Sequence, residues 1–427
     1  MKIDDVVIIP IAISDPPLLN AAGLHAPWAL RIIIEVVTDE HITGVGEIAG
    51  GSAVLASLEK ARDIVRGMNP FERNGIRLAI ERGFGGVADS MNIGYAPKTV
   101  ARRMFSALDV ALYDIIGKAT GRPVVDLLGG RVRDRVEFAA YLFYKHEGAG
   151  GVFGFGHNPD ASGWHKEKEN AALDAEGVVE QARAMCKEFG FKSLKLKGGV
   201  FPPKVEVETV KALRKAFGKN VPVRIDPNAV WRLETSIKWG KELEGYIEYL
   251  EDPCKGQENM AALRKEINIP LATNMCTTSF EELPSSIRLH SEDIILSDHH
   301  YWGGLEATTH LGKICSTFGR KLSMHSNSHI GISLLSMAHL GCAVPEITYA
   351  IDTHYPWQSE EVIKGGRIQF EDGALRVSNE PGLGVELDHE ALEKLHQNYL
   401  RCGLKDRNDE VEMQKIKPGW KVVDNIW

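Results

Sequence analysis

The first 60 residues show the apolar pattern of β-strands. The run DDVVIIPIAI is followed by ALRIIIEVV and ITGVGEIAG, and TDEH between the last two is typical of a turn. From about residue 55 the apolar spacing becomes helical, in AVLASLEKARDIVRGM and in KTVARRMFSALDVALYDIIGKATG, with a stop at Gly121-Arg122-Pro123. Strands followed by helices predict a compact α+β domain, which we place at residues 1–135.

A different pattern begins near residue 136. Short apolar runs recur as FAAYLFY, SLKLKGG, VPVRIDPN, YIEYLEDP, PLATNM, DIILSD, KLSMHS and ITYAID. Most are separated by amphipathic helical segments such as KVEVETVKALRKAFG. Eight strand–helix units within about 215 residues predict a (β/α)₈ TIM-type barrel over residues 136–375. A doubly wound open sheet is the main alternative, but it rarely has eight parallel strands in an unbroken row.

The loop after the first of these strands, residues 145–164, is long and rich in glycine. It does not fit GxGxxG, and no helix opens directly after it, so a dinucleotide site is not predicted. A flexible surface loop and a lid over the barrel mouth both remain open.

Composition narrows the class of protein. The chain of 427 residues is 44% hydrophobic and 25% charged, as in ordinary soluble proteins, and its net charge of −8 argues against a nucleic-acid surface. No apolar run approaches the roughly 18 residues of a membrane span, and the N-terminus lacks the basic start of a secretory signal. Six scattered cysteines without CxxC spacing indicate reduced thiols. We therefore expect a cytoplasmic enzyme with a small-molecule substrate.

Polar residues follow successive strands of the predicted barrel. Counting from the second strand, they are Lys195 and Lys197, Asp226 and Asn228, Glu251 and Asp252, Asn274, Asp298, and His325. From Lys197 onward, the first polar residues of successive strand ends lie 23 to 29 residues apart, close to one βα unit. Any one of them could be a helix cap or a turn residue. Six strand ends in register instead predict an active site at the carboxyl ends of the strands.

Three of these residues form a candidate metal site. Asp226, Glu251 and Asn274 offer only carboxylate and amide oxygens, which suit Mg²⁺. Zinc would require His or Cys at these positions, and HSNSH at 325–329 lacks the Glu of H-E-x-x-H.

The remaining groups suit the removal of a proton next to a carboxylate. Lys195 and Lys197 share one face of a strand, and Asp298 and His325 from adjacent strands can form a hydrogen-bonded dyad. A divalent cation and nearby ammonium groups would stabilise the resulting ene-diolate. We expect repulsion from Lys195 to lower the pKa of Lys197, so that Lys197 can act as a base.

At this level the chain resembles the enolase superfamily, in its mandelate racemase-type branch, and within it the glucarate dehydratases. The resemblance covers nearly the whole chain and rests on LLNAAGLHAP, HITGVGEIAGG, LKLKGGV, RIDPNAVW, YLEDPC, LATNM, SDHHYW, HSNSHIGIS, AIDTHYPWQ, PGLGVELD and PGW. This superfamily combines a Lys or His base with Mg²⁺.

The resemblance implies a modified barrel with an N-terminal capping domain, completed by a C-terminal segment at 376–427. It implies Asp226, Glu251 and Asn274 as Mg²⁺ ligands, Lys197 as base and Lys195 as its electrostatic partner. The Asp298–His325 dyad would serve the opposite face of the substrate, and Asn228 would stabilise the ene-diolate. The substrate contacts it implies are Asn20, His25, Tyr141, Ser326, Asn327 and His354, with Phe143 a weaker candidate because a strand aromatic is usually core.

The implied reaction is loss of water from a sugar acid to give a 2-keto-3-deoxy acid, with His325 protonating the departing hydroxyl. A racemase, epimerase or cycloisomerase on the same barrel, and a non-catalytic relative that binds sugar acids, are the alternatives. The resemblance also leaves a homo-oligomer open.

Two departures bear on the substrate. Glucarate dehydratases carry an arginine after PGW that meets the distal carboxylate, whereas PGWKVVDNIW has none. The segment HSNSHIGIS also differs from theirs, at Ser328 and Gly331. We therefore expect a monocarboxylic sugar acid or a different diacid as substrate.

Overall fold

The computed structural model describes residues 1–88, 99–151, 154–156, 158–424 and 426–427. Its N-terminal elements are the strands β1 (Ile3–Ser14), β2 (Leu19–Asn20), β3 (Gly23–Leu24), β4 (Trp28–Thr38) and β5 (Thr43–Ala49), and the helices α1 (Ser52–Val65), α2 (Arg73–Phe84), α3 (Val100–Thr120) and α4 (Val124–Leu127). Lys98, with which the second predicted helix begins, lies outside the described residues.

The N-terminal domain is a three-stranded antiparallel sheet covered by helices. The order is β1-β4-β5, with Ser14 opposite Trp28 at one end of the β1–β4 ladder. Helix α3 lies against β5 so closely that a Cβ on Gly44 would stand 2.1 Å from the carbonyl oxygen of Ala111. The predicted α+β capping domain is thus confirmed in its architecture.

Eight parallel strands form a nearly closed barrel. They are β6 (Val136–Phe143), β7 (Leu194–Lys197), β8 (Val223–Asp226), β9 (Tyr249–Glu251), β10 (Leu271–Thr273), β11 (Ile294–Ser297), β12 (Lys321–Met324) and β13 (Ile351–Thr353). Neighbours pair in the order β12-β11-β10-β9-β8-β7-β6-β13, and a bridge links Leu322 of β12 to Ile347, which lies four residues before β13. The predicted TIM-type barrel is confirmed, and the alternative of a doubly wound open sheet is excluded.

Helices surround these strands. They are α5 (Gly163–Glu169), α6 (Ala175–Phe189), α7 (Pro203–Phe217), α8 (Leu233–Leu243), α9 (Gln257–Leu263), α10 (Leu283–Leu289), α11 (His299–Trp302), α12 (Leu305–Thr317) and α13 (Gly331–Ala343), with 3₁₀ turns at Phe280–Glu282 and Tyr355–Trp357. Among the described helices, no member combines the length and apolarity needed to cross a bilayer.

The chain after β13 returns to the N-terminal domain. It passes through β14 (Ala374–Leu375), which pairs antiparallel with β6, to α14 (His389–Arg401) and α15 (Asp409–Ile416). Helix α14 packs on β1, where His396 Nδ1 donates to the carbonyl oxygen of Pro10 at 2.7 Å, and α15 packs on β3. The C-terminal segment is therefore held at the capping side of the barrel.

The loop at 145–164 lies partly against the N-terminal domain. The backbone N–H of Gly151 donates to the carbonyl oxygen of Pro27 at 2.9 Å. Residues 152, 153 and 157 of this loop lie outside the described residues, so a lid stays a prediction.

Candidate active site

A cavity of about 450 Å³ lies at the carboxyl ends of the barrel strands. Its wall includes the barrel residues Tyr141, Phe143, Lys197, Asn228, Met275, His325, Asn327 and His354. It also includes, from outside the barrel, Asn20, His25, Arg407, Asp409, Val422, Val423 and Asp424. The structure thus gathers most of the predicted substrate and proton-transfer residues around one space.

Both lysines of β7 point at carboxylates on other strands. Lys197 pairs with Asp226 in the β7–β8 ladder, and its Nζ lies 2.6 Å from Asp226 Oδ2. Lys195 Nζ lies 2.6 Å from Glu251 Oε2 and 2.5 Å from Asp352 Oδ2. All five side chains are buried. The two adjacent positive charges are therefore balanced by three acids that arrive from three different strands.

These contacts correct the expected pKa of Lys197. Burial lowers the pKa of Lys197 and so does Lys195, but Asp226, Tyr141 and Glu251 together raise it by more, so that the net pKa is raised. The pKa of Lys195 is raised for the same reason, by Asp352 and Glu251 against burial. Repulsion between the lysines is real, yet it does not leave Lys197 neutral in this structure. A divalent cation at Asp226 would oppose the rise.

The donor set at β8, β9 and β10 fits a hard divalent cation. Asp226 and Glu251 are buried side by side, and burial followed by the charge of Asp226 raises the pKa of Glu251 well above its usual range. Asn274 is adjacent, with its Nδ2 donating to Glu251 Oε1 at 3.1 Å. Two crowded carboxylates and an amide form an oxygen-donor site that Mg²⁺ would stabilise.

Asp252 supports this set from behind. Its Oδ2 accepts from the backbone N–H of Asn274 at 2.7 Å, and its Oδ1 accepts from Thr273 Oγ1 at 2.5 Å. Burial, followed by the charge of Asp226, raises the pKa of Asp252 to about 7. Asp252 thus fixes the backbone at Asn274 and does not line the cavity.

Asn228 reaches the cavity through a left-handed turn. Both Asn228 and Ala229 have φ of 57°, a backbone conformation that residues other than glycine adopt rarely. The turn is held because the N–H of Asn228 donates to Asp226 Oδ1 at 2.9 Å and that of Ala229 to the carbonyl oxygen of Asp252 at 2.6 Å. Strain of this kind is typical of functional sites.

Asp298 and His325 form the predicted dyad. His325 Nδ1 lies 3.1 Å from Asp298 Oδ2. Burial opposes ionisation of Asp298, but contacts with His300 and His325 hold its pKa well below its usual range. An ionised carboxylate can only accept, so Nδ1 of His325 carries the hydrogen and Nε2 the lone pair. Burial also lowers the pKa of His325, by more than the hydrogen bond and the charge of Asp298 raise it. His325 is thus set up as a neutral base.

An arginine missed in the sequence lies in the cavity wall. Arg407 precedes PGW instead of following it, and its Nη2 donates to His25 Nε2 at 2.9 Å. Asp409 accepts from Arg407 Nε at 2.7 Å and also from Asn20 Nδ2 at 2.8 Å. The C-terminal segment therefore brings an arginine to the cavity wall, although none follows PGW.

Aromatic rings in mutual contact form part of the cavity wall. Lys195 Nζ lies over the ring of Tyr141, 4.7 Å from the ring centre. The ring centres of Tyr141 and His354 are 4.9 Å apart. His354 stacks on His25 at 6.4 Å. Phe143, a weak candidate from the sequence, also lines the cavity and lies 4.9 Å from His354. Lys197 and Arg407 line the same cavity as these rings.

The segment after β12 contributes to two cavities, and His325 and Asn327 line both of them. Asn327 lines the main cavity and donates from Nδ2 to Tyr301 Oη. Ser326 is not in that wall but lines a small second cavity, together with Arg31 and Ser328, between the barrel and the N-terminal sheet. Ser326 is therefore not part of the main cavity wall, and its contact with substrate stays a prediction.

Sequence reasoning also missed two buried acids. Asp352 of β13 binds Lys195, although it lies 157 residues away along the chain. Glu206 in the first turn of α7 accepts from the backbone N–H groups of Gly199, Val200 and Phe201 at 3.1, 2.8 and 3.0 Å. Burial raises the pKa of Glu206 to about 7. The final Asp of ITYAID repeated the strand-end pattern and could have revealed Asp352, whereas Glu206 resembles an ordinary helix residue.

Comparison with known proteins agrees with this architecture. Residues 28–129 match the family described as mandelate racemase / muconate lactonizing enzyme, N-terminal domain, and residues 177–391 match enolase C-terminal domain-like. A relative from Streptomyces coelicolor, named "Probable glucarate dehydratase", is 43% identical over 98% of this chain and 97% of the relative. The chain therefore belongs to the enolase superfamily, in its mandelate racemase-type branch, and is an enzyme of that superfamily.

Solved structures show the same fold with ions and small acids. An enolase from Thermobispora bispora in complex with magnesium and formate is 47% identical, with a TM-score of 0.93 and coverage of 100% of both chains. An enolase from Pseudomonas fluorescens with bound magnesium, potassium and tartrate is 45% identical, with a TM-score of 0.93 and coverage of 100% of this chain and 99% of the other.

Proposed function

We propose that this protein is a Mg²⁺-dependent dehydratase of a sugar diacid, which removes a proton next to one carboxylate and expels the β-hydroxyl to give a 2-keto-3-deoxy acid. The observation that carries the proposal is that two cationic side chains from different parts of the chain line one cavity. Lys197 comes from the barrel, and Arg407 comes from the C-terminal segment, where it contacts His25. A substrate with a carboxylate at each end fits this arrangement better than a monocarboxylic sugar acid.

Asp226, Glu251 and Asn274 would hold the Mg²⁺. When bound, the ion supplies positive charge to the substrate carboxylate, whose α-proton becomes more acidic. The tartrate and magnesium in the relative from P. fluorescens support both the ion and the diacid.

His325 is suited to move the proton. In its neutral form Nε2 takes the α-proton as the C–H bond breaks, and Asp298 stabilises the resulting imidazolium. Lys197, in its charged form, and Asn228 stabilise the negative charge that develops on the substrate. The Nε2–H then protonates the β-hydroxyl as the C–O bond breaks, water leaves, and the enol tautomerises to the ketone.

Replacing Arg407 tests the diacid. Losing a charge-assisted hydrogen bond costs about 1.5–3 kcal/mol, so Arg407→Met should raise KM for a diacid roughly 10- to 100-fold and leave KM for a monocarboxylic analogue unchanged. Arg401→Met removes an exposed arginine of α14 and serves as the matched control. If the wild type prefers aldonates, or if Arg407→Met leaves KM for the diacid unchanged, the diacid assignment is wrong.

Epimerisation is a second activity that the geometry supports. Lys197 ends β7 and His325 follows β12, and these two strands are separated by β8–β11 on one side and by β6 and β13 on the other. The two groups therefore face the cavity from nearly opposite sides, and protonation of the ene-diolate by either one would set the configuration. Semicarbazide detects the 2-keto product of dehydration, whereas NMR in D₂O detects α-proton exchange. An enzyme that only epimerises would show exchange without keto product, and a non-catalytic relative would show neither.

A further inference from the structure

His300 is the second histidine bound to Asp298. Its Nδ1 lies 2.9 Å from Asp298 Oδ1, whereas His325 Nδ1 lies 3.1 Å from Oδ2. The backbone N–H of His300 also donates to Oδ1, at 2.9 Å. Each oxygen of the carboxylate therefore has its own imidazole, and the plane of the carboxylate is fixed from both sides.

The other side of His300 contacts the capping domain. Its Nε2 lies 3.1 Å from the carbonyl oxygen of Glu47 in β5 and 3.0 Å from Ser333 Oγ in the first turn of α13. A carbonyl oxygen only accepts, so this contact favours a hydrogen on Nε2. One imidazole thus spans the distance between the capping sheet and the dyad.

The Glu47 side chain forms hydrogen bonds with the segment that follows His325. Its carboxylate accepts from the backbone N–H groups of Ile330 at 3.0 Å and Ser333 at 2.9 Å. It is buried and paired with Arg31 Nε at 2.9 Å, and although burial opposes ionisation, these partners lower the pKa of Glu47. One residue of β5 therefore reaches both members of the dyad, Asp298 through His300 and His325 through the loop that ends at Ile330.

We propose that His300 is a positioning residue, whose bond to Asp298 fixes the orientation of that carboxylate and with it the hydrogen on His325 Nδ1. The contact with Glu47 of β5 joins the same ring to the capping domain. The inference rests on the proposed function only insofar as His325 moves the proton. The geometry of the dyad itself can be measured without a substrate.

Two variants separate the two contacts of the ring. The amide nitrogen of Asn can replace Nδ1, and the amide of Gln reaches the position of Nε2. His300→Asn should keep the bond to Asp298 and lose the bond to Glu47, whereas His300→Gln should do the reverse. His310→Gln, at an exposed histidine of α12, is the matched control.

The direct test is ¹⁵N-histidine NMR of the Mg²⁺-loaded protein, with the resonances of His325 assigned from His325→Asn. In the wild type, His300→Asn and His310→Gln, we expect His325 to carry its hydrogen on Nδ1. In His300→Gln we expect a mixture of tautomers. If His300→Gln keeps the wild-type tautomer, the proposal is wrong, whatever the enzyme catalyses. If His300→Asn shows the same mixture as His300→Gln, the bond to Asp298 is not what positions the dyad.

Kinetics gives the functional measure. Outer hydrogen-bond partners of reactive groups typically change activity about 10- to 100-fold, so His300→Gln should lower kcat by that factor with little change in KM, and His300→Asn should recover most of the loss. A rise in KM with unchanged kcat would assign His300 to substrate binding and overturn the positioning role. If the wild type dehydrates no sugar acid, the proposed function fails, and the tautomer measurement still decides the role of His300.

Discussion

Replacing Lys195 by Met removes one positive charge from the buried cluster at the barrel mouth. Lys195 is fully buried, and its Nζ lies within 4 Å of Glu251, Asp352 and Asp226. Removing one partner from a buried ion pair typically costs about 3–5 kcal/mol, because the remaining charge has no partner and no water. At about 2 °C per kcal/mol in a long chain, we expect Tm to fall by roughly 5–10 °C.

The assay is thermal unfolding with a chelator present, and Lys192→Met is the matched control. Lys192 lies three residues earlier and also contacts a carboxylate at 2.6 Å, that of Asp372, but its side chain is 54% exposed. Exposed pairs contribute about 0–1 kcal/mol, so its Tm should change by no more than about 2 °C. Equal Tm values for the two variants would refute the claim that the buried cluster depends on Lys195.

The loss should also depend on pH. Lys195 lowers the pKa of Glu251, which burial and then Asp226 already raise, so its removal raises that pKa further. A carboxyl group whose pKa is raised by folding stabilises the fold while protonated, and this stability is lost as pH rises through the folded pKa. The deficit in Tm of Lys195→Met should therefore be larger at about pH 8 than at about pH 5.5. A deficit that grows toward acid would contradict this charge assignment.

Three other predictions concern the remaining groups. Glu206→Gln should lower kcat about 10-fold or more, because an amide cannot accept from three N–H groups as a carboxylate does. Glu208→Gln, at the exposed face of α7, should leave kcat unchanged. Equal kcat for the two variants would contradict a role for Glu206 in holding the turn after Lys197. Removing Mg²⁺ with a chelator should abolish turnover and lower Tm, and adding Mg²⁺ should restore both; full activity in excess chelator would exclude the metal site. Raising pH through the pKa of His325, which burial lowers from its ordinary value, should increase kcat/KM, because the base must be neutral; a pH-independent rate, or one that rises toward acid, would argue against His325 as base.

The barrel and most of the site could be predicted because strand ends recur with the period of one βα unit. Lys197 and Asp226 pair in adjacent strands, so their contact follows directly from the register of β7 and β8. Asp298 and His325 are also carried by neighbouring strands. The periodicity of the sequence was therefore sufficient to predict a contact wherever its two residues lie on successive strands.

Contacts between distant segments could not be predicted in this way. Asp352 reaches Lys195 because the barrel closes, and Arg407 reaches His25 because the C-terminal segment returns to the capping side. The pKa of Lys197 was mispredicted for a related reason: like-charge repulsion follows from the sequence, but the opposing contact with Asp226 Oδ2 at 2.6 Å is a fact of packing.

The most direct test of the central claim is a dehydration assay of the Mg²⁺-loaded protein across sugar diacids and aldonates, with the 2-keto-3-deoxy product detected by semicarbazide. We predict that the wild type turns over at least one diacid, and that Lys197→Ala and His325→Asn each lose this activity. Turnover confined to monocarboxylic sugar acids, or full turnover of the diacid by both variants, would contradict the account.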